Sequence, residues 1–259
     1  MLLENKTAVI YGGGGSIGGA MGRAFAAEGA RVFLAGRTPA TLDAVAADIR
    51  DAGGLAETAR VDALDADAVN GWVDSVVETA GSVDISINLI SHDPLFGPLI
   101  EVSADDFGRS MEKVARSFLV TTQAAARHMV KQGSGVILHF GGADSGNRMP
   151  GLGNVQIGCD MVEAMRRQWA CELGPHSVRV LTMKTGGIPD SMPDAPQLDE
   201  VKQQMVDATL TKRAATLADV GRVAAFLASD HAASMTSTQV NRAGAAGVGW
   251  VGGGVRRMR

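Results

Sequence analysis

Short apolar runs alternate with longer stretches of helical periodicity along all 259 residues. The runs fall at 7–11, 31–35, 57–61, 84–90, 135–140, 178–184 and 239–241, and several are unbroken, as Val136-Ile137-Leu138 shows. Unbroken runs suit strands covered on both faces, as in a parallel sheet; a sheet with one wet face alternates instead. Between them, the periodicity predicts helices over 17–28, 39–52, 65–79, 104–131, 155–173 and 217–228. Ser103 and Thr216 each stand three residues before an acid, Asp106 and Asp219, a variant of the capping box that marks a helix start. No fixed-period repeat and no break in composition divides the chain. The pattern predicts one doubly wound α/β domain over 1–259, with a mostly parallel sheet of about seven strands flanked by helices.

Ligands of such a sheet sit beyond the C-terminal ends of the strands, near the switch in strand order. The informative segments are therefore 12–18, 36–37, 62, 91–98, 141–145 and 184–190. The stretch 187–205, with Pro189, Met192, Pro193, Pro196 and Met205, reads as a lid over that edge. Residues 245–259 read as a C-terminal tail whose Arg256-Arg257-Met258-Arg259 cluster is solvated.

Composition narrows the function classes. Hydrophobic residues at 46% and charged residues at 20% provide for a sizeable core. A net charge of −4 and a pI near 5.7 give no broad footprint for nucleic acid or an anionic membrane. The 33 glycines stand against only 3 Trp, 1 Tyr and 7 Phe, which points to tight turns and close backbone approach. Cys159 and Cys171 lie on one predicted helix, about 18 Å apart along its axis, beyond the reach of a disulfide. They lack metal-ligand spacing as well, so no metal site and a reduced, cytoplasmic setting are expected. No signal peptide or membrane span is readable.

The first strand and turn read Ala8-Val-Ile-Tyr11-Gly12-Gly13-Gly14-Gly15-Ser16-Ile17-Gly18 and lead into a helix. Glycines there let backbone amides and a positive helix end approach a pyrophosphate. The segment resembles the Thr-Gly-x-x-x-Gly-Ile-Gly turn of the short-chain dehydrogenase/reductase family, a Rossmann-type fold. Gly12, Ile17 and Gly18 match; Tyr11 replaces the threonine and Ser16 the middle glycine. The resemblance spans the chain. Asp84-Ile85-Ser86-Ile87-Asn88 is similar to the family's fourth strand, keeping only the first asparagine of Asn-Asn-Ala-Gly.

That resemblance implies a cofactor set of Gly12, Gly15, Ser16, Ile17, Gly18, Arg37, Asp62, Asn88 and Ile188. Family members that prefer NAD carry an acid at the end of the second strand; here Gly36-Arg37 stands there. A carboxylate repels a 2′-phosphate, and a guanidinium binds one bidentately, so NADP(H) is expected. Asp62 takes the family's place beside the adenine edge. Asp190, where the family has a threonine, is expected to weaken the binding of a pyrophosphate by repulsion.

The family's catalytic Asn, Ser, Tyr and Lys fall, by register, on Val114 (to within a residue), Gly142, Val155 and Cys159. None of these side chains can do the original work, and the single tyrosine is already placed at Tyr11. The spacing of divergent enoyl reductases and the Ser-Tyr-Arg set of halohydrin dehalogenases fail on the same count. His92, directly after the fourth strand, is the candidate acid, with Asp144 as its conceivable partner. His139 reads as a satisfied core group and Cys159 as packing.

Three functions follow. The first is an NADP(H)-dependent oxidoreductase for a small carbonyl compound, with non-standard proton transfer. The second is a catalytically silent nucleotide-binding or assembly subunit. The third is a non-redox isomerase, cyclase or lyase using the same pocket. The expected partners are a small-molecule substrate or nucleotide, with no nucleic acid and no membrane. A homodimer or homotetramer is expected through 104–131 and 155–173, where Met161, Met165 and Trp169 form an apolar stripe.

Overall fold

The computed structural model describes residues 1–91, 93–141, 148 and 150–241. Seven strands form one sheet: β1 (Thr7–Tyr11), β2 (Arg31–Gly36), β3 (Leu55–Arg60), β4 (Ile85–Asn88), β5 (Gly135–Gly141), β6 (Val178–Lys184) and β7 (Gln239–Asn241). Their order is β3-β2-β1-β4-β5-β6-β7, and every pairing is parallel. The order reverses between β1 and β4, which opens a crevice at the C-terminal ends of those two strands.

Helices α1 (Ser16–Ala27), α2 (Pro39–Asp51) and α7 (Leu217–Ala228) cover one face of the sheet. Helices α3 (Ala66–Ala80), α4 (Ala104–Gln132) and α5 (Val155–Leu173) cover the other. The core is correspondingly double. Ile10, Leu34, Leu181 and Met183 pack with Met21, Phe25, Leu42 and Val220 on the first face. Val9, Phe33, Ile137 and Val180 pack with Val73, Ala124, Ala170 and Leu173 on the second. Adjacent strand residues serve opposite layers, which is why the strand sequences are apolar without alternation.

Helix starts follow the expected caps. Thr216 and Asp219 bond reciprocally at the head of α7, at 3.1 and 3.2 Å. Ser103 at the head of α4 accepts only from Asp106 N, so its box is half made. Most boundaries fall within one residue of the sequence reading, and two strand boundaries shift by two. β3 starts two residues earlier than expected, and β4 ends at Asn88. Asn88 Oδ1 accepts from Ile90 N and turns the backbone out of the strand. The expected lid holds short 3₁₀ turns at Pro189–Ser191 and Pro196–Leu198, then α6 (Asp199–Asp207), a helix the periodicity did not reveal. Met205 of α6 packs so closely on Gly187 that an added Cβ there would lie 2.4 Å from its sulfur. No helix among the described residues is long and apolar enough to cross a membrane.

Candidate functional site

The crevice beside β1 holds a cleft of about 350 Å³. Its walls come from the glycine turn (Gly12, Gly14, Gly15), the end of β2 (Gly36, Arg37), Thr38 and Thr41 at α2, the Asp62 loop, and Leu89–Ser91 with Lys113. Two glycines explain the shape of the turn. Gly12 has φ +78°, a left-handed conformation that other residues rarely adopt. At Gly18 a Cβ would lie 2.3 Å from Gly12 O, so the helix can sit against the turn only without a side chain. The head of α1 is open. Its N-cap is Gly15, no side chain caps it, and its first turn carries no acid. The first-turn N–H groups, Ser16 and Ile17 among them, therefore offer donors and a positive dipole end to an anion.

Around that turn, Arg37 is exposed and makes no hydrogen bond or ion pair with any described residue. Asp62 is exposed at the cleft, with Oδ1 accepting from Leu64 N at 3.0 Å. The turn, Arg37 and Asp62 thus come together as the sequence suggested. Asn88 and Ile188 do not join them. Asn88 is buried, donating to Thr121 Oγ1 at 3.0 Å and accepting from Ile90 N, so its amide holds the strand exit in place. Ile188 is buried in the core layer with Met183 and Leu181. Asp190 is outside the cleft's lining: both carboxylate oxygens accept from Leu217 N, at 3.1 and 2.9 Å, at the head of α7. Sequence reasoning missed Lys113, which lines the cleft with Nζ 2.5 Å from Asp93 Oδ1, and Thr38 and Thr41. Lys113 sits on the apolar–polar boundary of α4, where periodicity does not separate a cleft lysine from a solvated one.

The edge beside β5 and β6 is built differently. Val155 opens α5 half-buried, Cys159 is buried one turn later, and Val114 is buried against Phe118 and Val162. His92, Gly142 and Asp144 lie outside the described residues. Tyr11 is buried in β1 with its ring edge-on to Trp72 at 5.2 Å, and its hydroxyl has no partner among the described residues. Burial pushes that phenol well above its ordinary range.

Beneath α5 runs a band of buried polar groups. His139 is fully buried, edge-on to Phe118 at 4.9 Å, with Nε2 3.4 Å from Thr122 Oγ1 and no partner on Nδ1 among the described residues. It is a core residue, but not the satisfied one the sequence suggested. Burial, aided by the charge of Arg166, lowers its pKa to about 3, so the ring stays neutral. Arg166 and Glu163 form a buried ion pair at 3.0 Å, extended to Ser237 and Gln239. At the top of the band, Lys184 is 3% exposed and its Nζ has no partner among the described residues. No cluster of three metal-ligating side chains occurs among the described residues.

The segments 93–97 and 151–154 are stapled together. Gly97 bridges Leu152, with Gly97 N donating to Gly151 O at 2.8 Å. Asn154, wholly buried, accepts from Leu95 N at 2.8 Å and donates to Asp93 O at 3.3 Å and to Ser110 Oγ. The stripe expected to meet a partner helix is only half free. Met161 and Met165 pack on Val114, Phe118 and Val162, and Trp169 packs into the second core layer.

Comparison with known proteins agrees with this architecture. A family model described as Enoyl-(Acyl carrier protein) reductase matches residues 13–243. The chain is 29% identical over 247 residues to the short-chain reductase protein NovJ of Streptomyces niveus, covering 92% of each. It is 28% identical over 247 residues to 7alpha-hydroxysteroid dehydrogenase of Escherichia coli, covering 95% of each. Among solved structures, a short-chain dehydrogenase/reductase from Serratia marcescens superposes with a TM-score of 0.82 at 28% identity, over 93% of this chain and 97% of that one. An NAD+-bound xylitol dehydrogenase superposes with a TM-score of 0.85 at 24% identity, over 94% and 100%. That last likeness is one of fold.

Proposed function

The chain belongs to the short-chain dehydrogenase/reductase family, and from that premise we propose an NADP(H)-binding oxidoreductase for a small carbonyl compound, with a proton source other than the family's tyrosine. The observation that carries it is the pairing of an uncapped α1 terminus with an exposed, unengaged Arg37 in one cleft. The terminus suits a pyrophosphate and Arg37 suits a 2′-phosphate. The cofactor's fit is supported by the glycine cradle, because a Cβ on Gly14 would lie 2.3 Å from Thr41 Oγ1 and one on Gly18 would fill the turn. A bound nicotinamide would supply the hydride chemistry. Gly12, Gly15, Ser16 and Ile17 would hold the phosphates, and Asp62 would accept from the adenosine.

The proton must come from elsewhere. Val155, Cys159, Gly142 and Val114 stand at the family's four catalytic positions without its hydroxyls, ammonium or amide. His92 and Asp144 remain candidates by their places in the sequence.

Fluorescence titration with NADPH and NADH, on wild type and Arg37→Ala, tests the cofactor reading. NADPH should bind more tightly, and Arg37→Ala should weaken NADPH alone by roughly tenfold or more, the worth of a charge-assisted hydrogen bond. Equal binding of both cofactors, or of neither, overturns it. NADPH oxidation with ketones, aldehydes and acyl thioesters tests the chemistry. Binding without turnover on any of them favours the catalytically silent reading.

A further inference from the structure

We propose that Lys184 is the group that meets the substrate's carbonyl oxygen. This rests on the oxidoreductase reading above and names the residue at its reacting end. Lys184 ends β6, in register with Gly141 at the end of β5, on the strand edge where this fold binds ligands. Val178 and Val180 of the same strand face α5, and the alternation of side chains puts Thr182 and Lys184 on that face too. Helix α5 begins above this edge, because it follows β5 directly and runs back along the sheet.

The lysine stem lies beside the end of β5: a Cβ built on Gly141 would stand in ordinary contact, 3.5 Å from Thr182 Cγ2 and 3.8 Å from Lys184 Cγ. Cys159, buried in α5, contributes no ammonium at this edge. The cation here comes from the strand side instead of the helix side.

The amine itself asks for a ligand. Lys184 is 3% exposed, and its Nζ has no hydrogen-bond partner among the described residues. Lysine is almost never buried unless paired, and an unpartnered buried ammonium is costly. A substrate oxygen that gains negative charge would complete it. In reduction, the carbonyl carbon gains hydride from a reduced nicotinamide and the π pair of C=O moves to oxygen. That oxygen takes a proton from Nζ, leaving a neutral amine that water reprotonates.

The probe is isobutyrate, a stable carboxylate whose oxygen stands in for the developing alkoxide. It is titrated calorimetrically into wild type, Lys184→Met and Lys184→Gln, with and without NADP+. The expected result is binding to wild type and at least a tenfold loss in Lys184→Met, while NADPH affinity stays within about twofold. Lys184→Met should also raise Tm, because an apolar side chain of similar length replaces an unpaired buried charge. Isobutyrate binding equally well to both variants, or not binding wild type at tens of millimolar, overturns the assignment. Lys184→Gln keeps the test open if Lys184→Met does not fold. Loss of NADPH binding in the wild type would instead sink the oxidoreductase reading, and the cofactor-free titration still decides the role of Lys184.

Discussion

The two halves of the sheet's C-terminal edge are made of different materials. Beside β1 and β2 it is mostly backbone, a turn of glycines and an uncapped helix head, with one guanidinium unengaged among the described residues. Beside β5 and β6 it is side chain: a neutral histidine, a buried ion pair and a lysine unpartnered among the described residues. Backbone recognition needs little except the absence of side chains, so it survives while the residues around it change. Side-chain chemistry has no such protection. That contrast fits the proposed reading, in which one half keeps the family's glycine turn and the other works without its usual reacting groups.

The sharpest way to break the first half is Gly18→Ala. Its methyl group would lie 2.3 Å from Gly12 O, which is backbone and cannot swing aside. The expected loss is about 3 kcal/mol of stability, at the upper end for an overpacked position, together with NADPH binding. Thermal melts and cofactor titration read both. A stable Gly18→Ala protein that still binds NADPH would show that the turn is not the recognition element.

The second half is tested at its staple. Asn154→Ala removes three hydrogen bonds from a wholly buried amide and leaves Leu95 N without its acceptor. A loss of about 1–3 kcal/mol is expected. Hydrogen exchange should quicken around residues 93–97 and 151–154 while the glycine turn stays protected. Equal quickening in both regions would mean that the halves are coupled.

The smallest effect is electrostatic. His139 titrates near 3 in the folded protein and near 6.5 when unfolded, so below pH 6.5 only the unfolded chain takes up this proton. Stability contributed by the neutral ring is therefore complete above pH 6.5 and falls as pH drops towards 3, at up to about 1.4 kcal/mol per unit. Urea midpoints between pH 6.5 and 5 should show this slope in wild type and a flatter one in His139→Phe. Parallel slopes would assign the acid sensitivity to other groups.

How far the sequence could be read divides along the same line. Every strand and six of the seven α-helices among the described residues were legible, because the double-sided core writes unbroken apolar runs into β1, β2 and β5. The cleft at Gly12, Arg37 and Asp62 was legible for a related reason: a glycine turn between strand and helix is a local signal. The packed partners of Asn88 and Asp190, Thr121 and Leu217, could not be read from the sequence because they come from distant parts of the chain. The orphaned state of Lys184 and of His139 Nδ1 could not be read at all. A missing partner is a property of the packed chain. Helix α6 escaped notice because none of its residues is buried, so no apolar period marks it.

The bridge between Gly97 and Leu152 has a consequence for descent. A loop that stands alone can lengthen or shorten by one residue and be tested by selection on its own. Here the exits of β4 and β5 share one bridge and one asparagine, and a Cβ on Gly153 would lie 1.7 Å from Leu95 O. An insertion within 93–97 or 151–154 would slip the register of both. Under this constraint the two segments would change together, and new substrate shapes would arise by exchanging side chains within them or by replacing the pair.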